Sequence, residues 1–374
     1  MFRRHALPLL LAVGLACGPG YSDFARAGAD HGNYAPVLPE RPMVFPRDYG
    51  AHPAHRTEWW YVTGWLRDET GAERGFQVTF FRVATRIGAD NPSRFAPRQL
   101  ILAHAAIADP TRGRLLHAER SARAVAPLAG ADETHTASWI RDWSLAWQGD
   151  RYRTRIAAAD FAFDLELVPP GPPVLNGEGG YSRKAPQAGH ASYYYSRPHL
   201  KVGGTLELDG KGRQVSGHAW LDHEWSSTLM PPSARGWDWI GINLADGGSL
   251  MAFRMRDADG KALWAGATLV DGQGRAHTLG ADEVRFEPLR SWRSPRTGAD
   301  YPVSWRVALT LATGERQFRI EPLLDDQELD SRRSTGAVYW EGAVRLHETT
   351  TDGATHEAGQ GYLEMTGYAE RLEM

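Results

Sequence analysis

Between residues 217 and 227 the chain reads GHAWLDHEWSS, a run that crowds His218, Trp220, Asp222, His223, Glu224 and Trp225 together. Carboxyls and imidazoles are the groups that move protons near neutral pH. Indole faces stabilise positive charge. On an extended strand, residues two apart share a face and lie about 7 Å from one another. That parity puts His218, Trp220, Asp222 and Glu224 on one side, and Ala219, Leu221, His223 and Trp225 on the other. A tryptophan within the polar set argues for a partly dry cavity, where burial raises carboxyl pKa values and keeps an acid protonated. Metal binding is the weaker reading, because His218 and Asp222 stand about 13 Å apart on an extended strand, too far for one ion without curvature. No metal or other cofactor is expected. The bland alternative is an ionic and aromatic belt that pins a domain junction.

Strands must position these residues, and strand rhythm dominates the chain. TEWWYVTGWLRD, RGFQVTFFRV, GGTLELDG, WDWIGINLADGGSLMAFRMRDADG and VSWRVALTLATGERQFRI alternate apolar with polar residues, with Gly, Asp and Asn at hairpin spacing. Residues 168–190, VPPGPPVLNGEGGYSRKAPQAGH, are too rich in Pro and Gly for a central strand and read as a long surface loop able to cover a site. Arg183 and Lys184 within it read as solvated. An internal repeat is visible: residues 203–225 resemble 341–368, and EWWYVTGWL with FQVTFFR resembles WDWIGINL with LMAFRMR. This predicts an all-β chain of two tandem antiparallel barrels, residues 40–228 and 229–374, meeting near SSTLMPPSARG. Barrels are favoured over sandwiches because closure removes sheet edges and leaves an interior that can hold one small ligand.

Composition excludes several function classes. With 42 basic and 45 acidic side chains and a net charge of −3, there is no excess of positive charge for nucleic acid. Arg3 and Arg4 precede an apolar run to Cys17, and Ala25-Arg26-Ala27 supplies a small-x-small cleavage pattern, so residues 1–27 read as a signal peptide. The expected location is periplasmic or secreted. Lipidation of Cys17 is the lesser alternative, since Gly14 makes GLAC a poor lipobox. The 374-residue chain has one cysteine, so the folded part is left without disulfides, thiol catalysis or cysteine-bound zinc.

HRTEWWYVTGWL (55–66), ASYYYSRPHLKVGGTL (191–206), GHAWLDHEWSS, GWDWIGINL (236–244) and YWEGAVRL with GQGYLEMTGY (339–368) together resemble the lipocalin-like family that contains carotenoid 1,2-hydratase. The likeness is greatest to its secreted, AttH-type branch and covers about residues 40 to 370. The resemblance implies two tandem lipocalin-like barrels. Relatives in the family include hydratases of carotenoid and prenyl groups and fungal cyclases, which implies an apolar, unsaturated ligand and no cofactor. The secreted branch is often labelled hydrolase, yet no G-x-S-x-G elbow appears in this sequence.

Prenyl hydration needs a proton donor, aromatic faces for the resulting cation and a positioned water. Asp222 is assigned as the acid, with His218 as its hydrogen-bonding partner or as the holder of the water. Asp238, on a strand face with Ile240, Ile242 and Leu244, is the second candidate acid, or else a salt-bridge partner of an arginine such as Arg235. Trp220, Glu224, Trp237 and Trp239 are assigned to the ligand walls. Glu58, Trp59, Trp60 and Tyr61 form the matching patch in the first strand, Glu58 and Trp60 being assigned to the ligand, with structural packing around one paired Glu as the alternative. Tyr193, Tyr194 and Tyr195 divide between core and pocket, and Tyr195 is placed at the ligand. The expected function is hydratase, isomerase or cyclase chemistry on an isoprenoid or lipid, with a hydro-lyase as the nearest enzyme class. The alternative is a non-catalytic lipid carrier serving an ABC-type export system. Either fits peripheral contact with a membrane.

Overall fold

The computed structural model describes residues 34–187, 189–350 and 353–372; the expected signal peptide, Cys17 and the expected cleavage site lie outside them. The chain is built from strands, with no α-helix among the described residues. A meander opens it: β1 (Thr57–Asp68), β2 (Glu73–Ala84), β3 (Gln99–Asp109) and β4 (Arg114–Arg123). Short strands follow: β5 (Ala129–Ala131), β6 (Ala137–Ile140), β7 (Trp143–Gln148), β8 (Arg151–Ala157) and β9 (Phe161–Val168). Next come the two-residue β10 (Val174–Leu175), β11 (Tyr181–Arg183), and the long pair β12 (Ala191–Leu208) and β13 (Lys211–Thr228). Pairing of β13 back onto β1 rolls these into a 13-stranded antiparallel sheet, order β4-β3-β2-β1-β13-β12-β9-β8-β7-β6-β5, with β10 and β11 pairing to β12 beside this path. The barrel is nearly closed. Arg120 on β4 spans the seam, donating to the Ile140 carbonyl of β6 at 3.3 Å.

Residues 229–235 lead into the second barrel. Its strands are β14 (Gly236–Leu244), β15 (Ser249–Arg256), β16 (Ala262–Val270), β17 (Ala276–Leu279), β18 (Val284–Arg293), β19 (Asp300–Leu311), β20 (Gly314–Pro322), β21 (Glu328–Ser331), β22 (Ala337–Thr349) and β23 (Thr355–Met365). The path runs β17-β16-β15-β14-β23-β22-β20-β19-β18, and β21 pairs with β22 beside it to complete a 10-stranded sheet. The repeat seen in the sequence is thus a repeat of topology. In each barrel the first strand pairs with the last, and the last with a long strand before it.

Two-residue alternation then sends one face of each strand inward and the other outward. The first barrel is filled by Trp60, Phe76, Phe163, Tyr193, Tyr195 and Trp225, the second by Tyr301, Trp305, Phe318 and Trp340. Burying a side chain of this size stabilises the fold by roughly 2–3 kcal/mol. The interiors are packed, which corrects the expectation that a barrel interior receives the ligand. The outward faces of β1, β2 and β13 lie instead against those of β14, β15, β22 and β23, through a third apolar cluster that includes Tyr61, Trp65, Trp220, Trp239, Phe253 and Tyr362. Polar links pin this interface: Trp65 Nε1 donates to the Gly361 carbonyl at 3.1 Å, and the His199 amide donates to Asn243 Oδ1 at 2.7 Å. Leu115 N reaches the Asp326 carbonyl at 2.8 Å.

Candidate active site

A cleft opens where the two outward faces meet. It is narrow, with a free interior of about 80 Å³. Register explains its walls. On the first barrel, Phe81, Trp59, Glu224 and Tyr194 align across β2, β1, β13 and β12, and beside them Thr79, Tyr61, Asp222 and Ser196 form a second row. On the second barrel, Phe253, Trp239, Glu364 and Glu341 align across β15, β14, β23 and β22. Trp237, Met255, Leu229, Tyr339 and Lys184 complete the lining.

Asp222 is 2 % exposed and is held by three donors. Ser196 Oγ and Trp220 Nε1 donate to its Oδ1 at 2.5 and 2.6 Å, and the Tyr194 hydroxyl donates to Oδ2 at 2.8 Å. Trp239 Nε1 in turn donates to the Tyr194 oxygen at 2.9 Å, extending the chain into the second barrel. Burial pushes the Asp222 carboxyl up to about 7, against the pull of Ser196, Trp220 and Tyr194. Such an acid is half loaded at neutral pH, and its donors are already placed to stabilise the carboxylate left after the proton departs.

The other carboxyls differ. Glu224 pairs with Lys184 Nζ at 3.0 Å, both side chains buried. Lys184 also donates to Ser182 Oγ at 3.0 Å and lies 4.3 Å from the Phe253 ring centroid and 4.9 Å from that of Tyr194. Glu341 and Glu364 stand directly opposite each other on β22 and β23. Burial raises Glu341 to about 8, opposed by the Tyr61 and Tyr339 hydroxyls, and burial together with Glu341 raises Glu364. Two facing carboxyls cannot both ionise cheaply in such a place. The pair holds at least one proton.

The assigned residues divide by strand face. Asp222, Glu224, Trp237 and Trp239 line the cleft, and Trp220 backs it through its bond to Asp222. His218 does not. It is exposed and lies in a separate groove with Trp65, His199 and Gln360, while the partners expected of it at Asp222 are Tyr194, Ser196 and Trp220. Asp238 points into the second barrel, where Arg254 Nε at 2.7 Å, Arg256 Nε at 3.4 Å and the Tyr368 hydroxyl at 2.9 Å hold it. It is the structural salt bridge of the two readings, made to Arg254 and Arg256 rather than Arg235, and no second acid of the cleft.

Glu58, Trp60 and Tyr195 likewise face the wrong way for the cleft, since Glu58 and Trp60 alternate with the cleft residues Trp59 and Tyr61, and Tyr195 follows Tyr194. They form a buried network in the first barrel. Glu58 Oε1 accepts from His52 Nδ1 at 2.7 Å and His223 Nε2 at 2.8 Å, Oε2 accepts from Arg82 Nε at 2.7 Å, and the Tyr195 hydroxyl meets His223 Nδ1 at 3.0 Å. Burial alone would raise Glu58, but Arg82, His223 and His52 hold it well below the usual carboxylate range. These are hydrogen-bond distances. Two ligands of one tetrahedral ion would stand about 3.3 Å apart, and Arg82 already neutralises the carboxylate.

Lys184, read as solvated, is 4 % exposed and belongs to the site. Its loop is pulled in because β10 and β11 add to the edge of β12 and Lys184 N bonds the His190 carbonyl at 2.8 Å. Glu341 and Glu364 were not assigned to the site by sequence, and of the residues left open there, Tyr61 and Tyr194 are the ones that meet it. The repeat held the signal for one of them: Trp220 and Asp222 on β13 stand where Tyr362 and Glu364 stand on β23.

The AttH-like family model matches residues 36–368. The chain belongs to the AttH-like family. The crystal structure of an AttH candidate from Nitrosomonas europaea is 51% identical, with a TM-score of 0.81 over 89% of this chain and 99% of that one. Kievitone hydratase from Nectria haematococca shares the fold at 16% identity and a TM-score of 0.65, over 90% and 97% of the two chains. CghA does so at 13% identity and a TM-score of 0.51, over 90% and 96%. No curated protein matches this AttH-like sequence. Its architecture is two lipocalin-like barrels placed in tandem.

Proposed function

We propose that the cleft performs cofactor-free acid chemistry on an unsaturated, largely apolar molecule, an isoprenoid or a lipid, with Asp222 as the proton donor. One observation carries this reading: a buried carboxyl, raised to about 7, sits in the wall of an aromatic cleft with three donors on its oxygens. The Asp222 proton is added to the less substituted carbon of a double bond, the bond's electron pair forms the new C–H bond, and a tertiary cation remains. Trp59, Trp237 and Trp239 present faces that stabilise it. Water attack followed by loss of a proton gives hydration, loss of a neighbouring proton gives isomerisation, and attack by a second double bond followed by loss of a proton from the new cation gives cyclisation. The carboxylate left on Asp222 is reloaded by the released proton. A hydratase among proteins of this fold supports the same class of chemistry. The signal-peptide pattern of residues 1–27 supports a periplasmic or secreted setting for this chemistry.

Native mass spectrometry of protein purified from its own envelope identifies the ligand that travels with it. That ligand is then incubated with enzyme in D2O. Wild-type protein is expected to place deuterium on carbon, and Asp222→Asn to lose at least about 100-fold of that rate while still binding. Equal exchange in both proteins removes Asp222 as the acid. Absence of exchange in the wild type favours a carrier of apolar cargo for an export system.

A further inference from the structure

We propose that Glu341 and Glu364, with the indoles beside them, form a cation subsite, so that the cleft selects apolar molecules with a positive or developing positive centre and turns away apolar anions. The inference deepens the reading of the cleft as the reaction site, and names the charge of what enters it. Three observations carry it. Glu341 is 2 % exposed and lines the cleft, and although the Tyr61 and Tyr339 hydroxyls lie beside it, neither of its oxygens meets a donor in full hydrogen-bond geometry. Buried acceptors left open in this way are costly unless a ligand completes them. Four carboxyls line the cleft, Asp222, Glu224, Glu341 and Glu364, against one cation, Lys184. That cation is already paired with Glu224 at 3.0 Å, so the described lining offers no free positive charge to an anionic head group. Finally, the cleft already holds one ammonium in this manner, since Lys184 sits between a carboxylate and the faces of Phe253 and Tyr194.

The row Phe253, Trp239, Glu364, Glu341 repeats that combination of ring and carboxyl on the opposite wall. A tertiary cation formed by proton transfer from Asp222 would then have the acid on the first barrel and, on the second, a carboxyl pair that gives up a proton to solvent as the cation binds and so supplies the counter-charge. A protonated tertiary amine is a stable mimic of that cation.

Three probes of equal chain length test the idea at pH 7.5, below their aggregation limits: N,N-dimethyldodecylamine, 1-dodecanol and dodecanoate, followed by tryptophan fluorescence. The ammonium is expected to bind at least about tenfold more tightly than the alcohol, with dodecanoate weaker than both. In Glu341→Gln and in Glu364→Gln, each close in shape to a protonated carboxyl, the ratio of ammonium to alcohol affinity should fall towards one. Dodecanoate binding as well as the ammonium overturns the proposal. So does an unchanged ratio in both variants. If one variant fails to fold, the other and the wild-type ranking still decide. The two readings fail separately: selectivity without Asp222-dependent proton transfer keeps the subsite and removes the acid, whereas Asp222-dependent transfer without selectivity does the reverse.

Discussion

Asp222 owes its strength as an acid to a balance between burial and three donors, and removing one donor shifts that balance. Tyr194→Phe deletes the bond to Oδ2 and leaves Trp239 Nε1 without its acceptor. The Asp222 carboxyl is therefore expected to titrate higher than in the wild type, read as the protonated C=O stretch in infrared difference spectra, with Asp222→Asn as the blank. A downward shift would contradict the role given to Tyr194. The raised carboxyls also act on stability. Asp222 moves from 3.8 to about 7 and Glu341 from 4.5 to about 8, so between those values the folded chain keeps protons that the unfolded chain has lost. Their contribution is fully present below about pH 4 and is lost as pH rises through 7 and 8. Melting temperature should fall from pH 5 to pH 8.5, and Glu341→Gln should flatten the fall. A variant whose melt tracks the wild type at every pH would refute this assignment.

At the scale of the element, one-residue parity decides everything. Tyr194 faces the cleft and Tyr195 the first barrel, so Tyr195→Phe should leave cleft ligand affinity within about twofold while lowering stability by about 1 kcal/mol through the lost bond to His223. Binding isotherms and melts of the two phenylalanine variants separate the faces. Alternation within GHAWLDHEWSS correctly grouped Trp220, Asp222 and Glu224, because a two-residue period is a property of strand geometry alone. It could not say which group faced inward. The Pro- and Gly-rich segment hid Lys184, since its capture depends on two short strands adding to β12, a pairing with no periodic trace. Close strand approach has its own test. A Cβ at Gly361 would lie 1.9 Å from the Gly241 carbonyl oxygen, so Gly361→Ala must push β23 from β14 and should cost more than about 3 kcal/mol in denaturant unfolding.

At the scale of the molecule, the two barrels are halves of one site. Asp222 belongs to the first and Glu341 and Glu364 to the second, and the apolar surface between them is too large to expose singly. A fragment ending at Thr228 should fold into strand-rich structure, yet bind a hydrophobic dye or self-associate through Trp59, Tyr61, Trp65 and Trp220; circular dichroism, dye fluorescence and light scattering check this. A monomeric, dye-silent fragment would mean that the interface is dispensable. The full chain should melt in one transition, because polar links such as Trp65 to Gly361 tie the barrels through buried contacts.

Sequence by itself determined the all-β class, the two repeated units and the grouping of Asp222 with Trp220 and Glu224, since each follows from local alternation and from similarity along the chain. Tertiary structure alone decided where those residues look. Whether the outward face of β13 meets water, a lumen or a second barrel depends on contacts between strands more than a hundred residues apart, such as Tyr61 with Asp222 and Trp239 with Glu364. The same docking placed Glu341 and Glu364 opposite Asp222 and turned Asp238, Glu58 and Tyr195 inward. A strand carries both faces in its sequence, and only its neighbours assign one of them to chemistry.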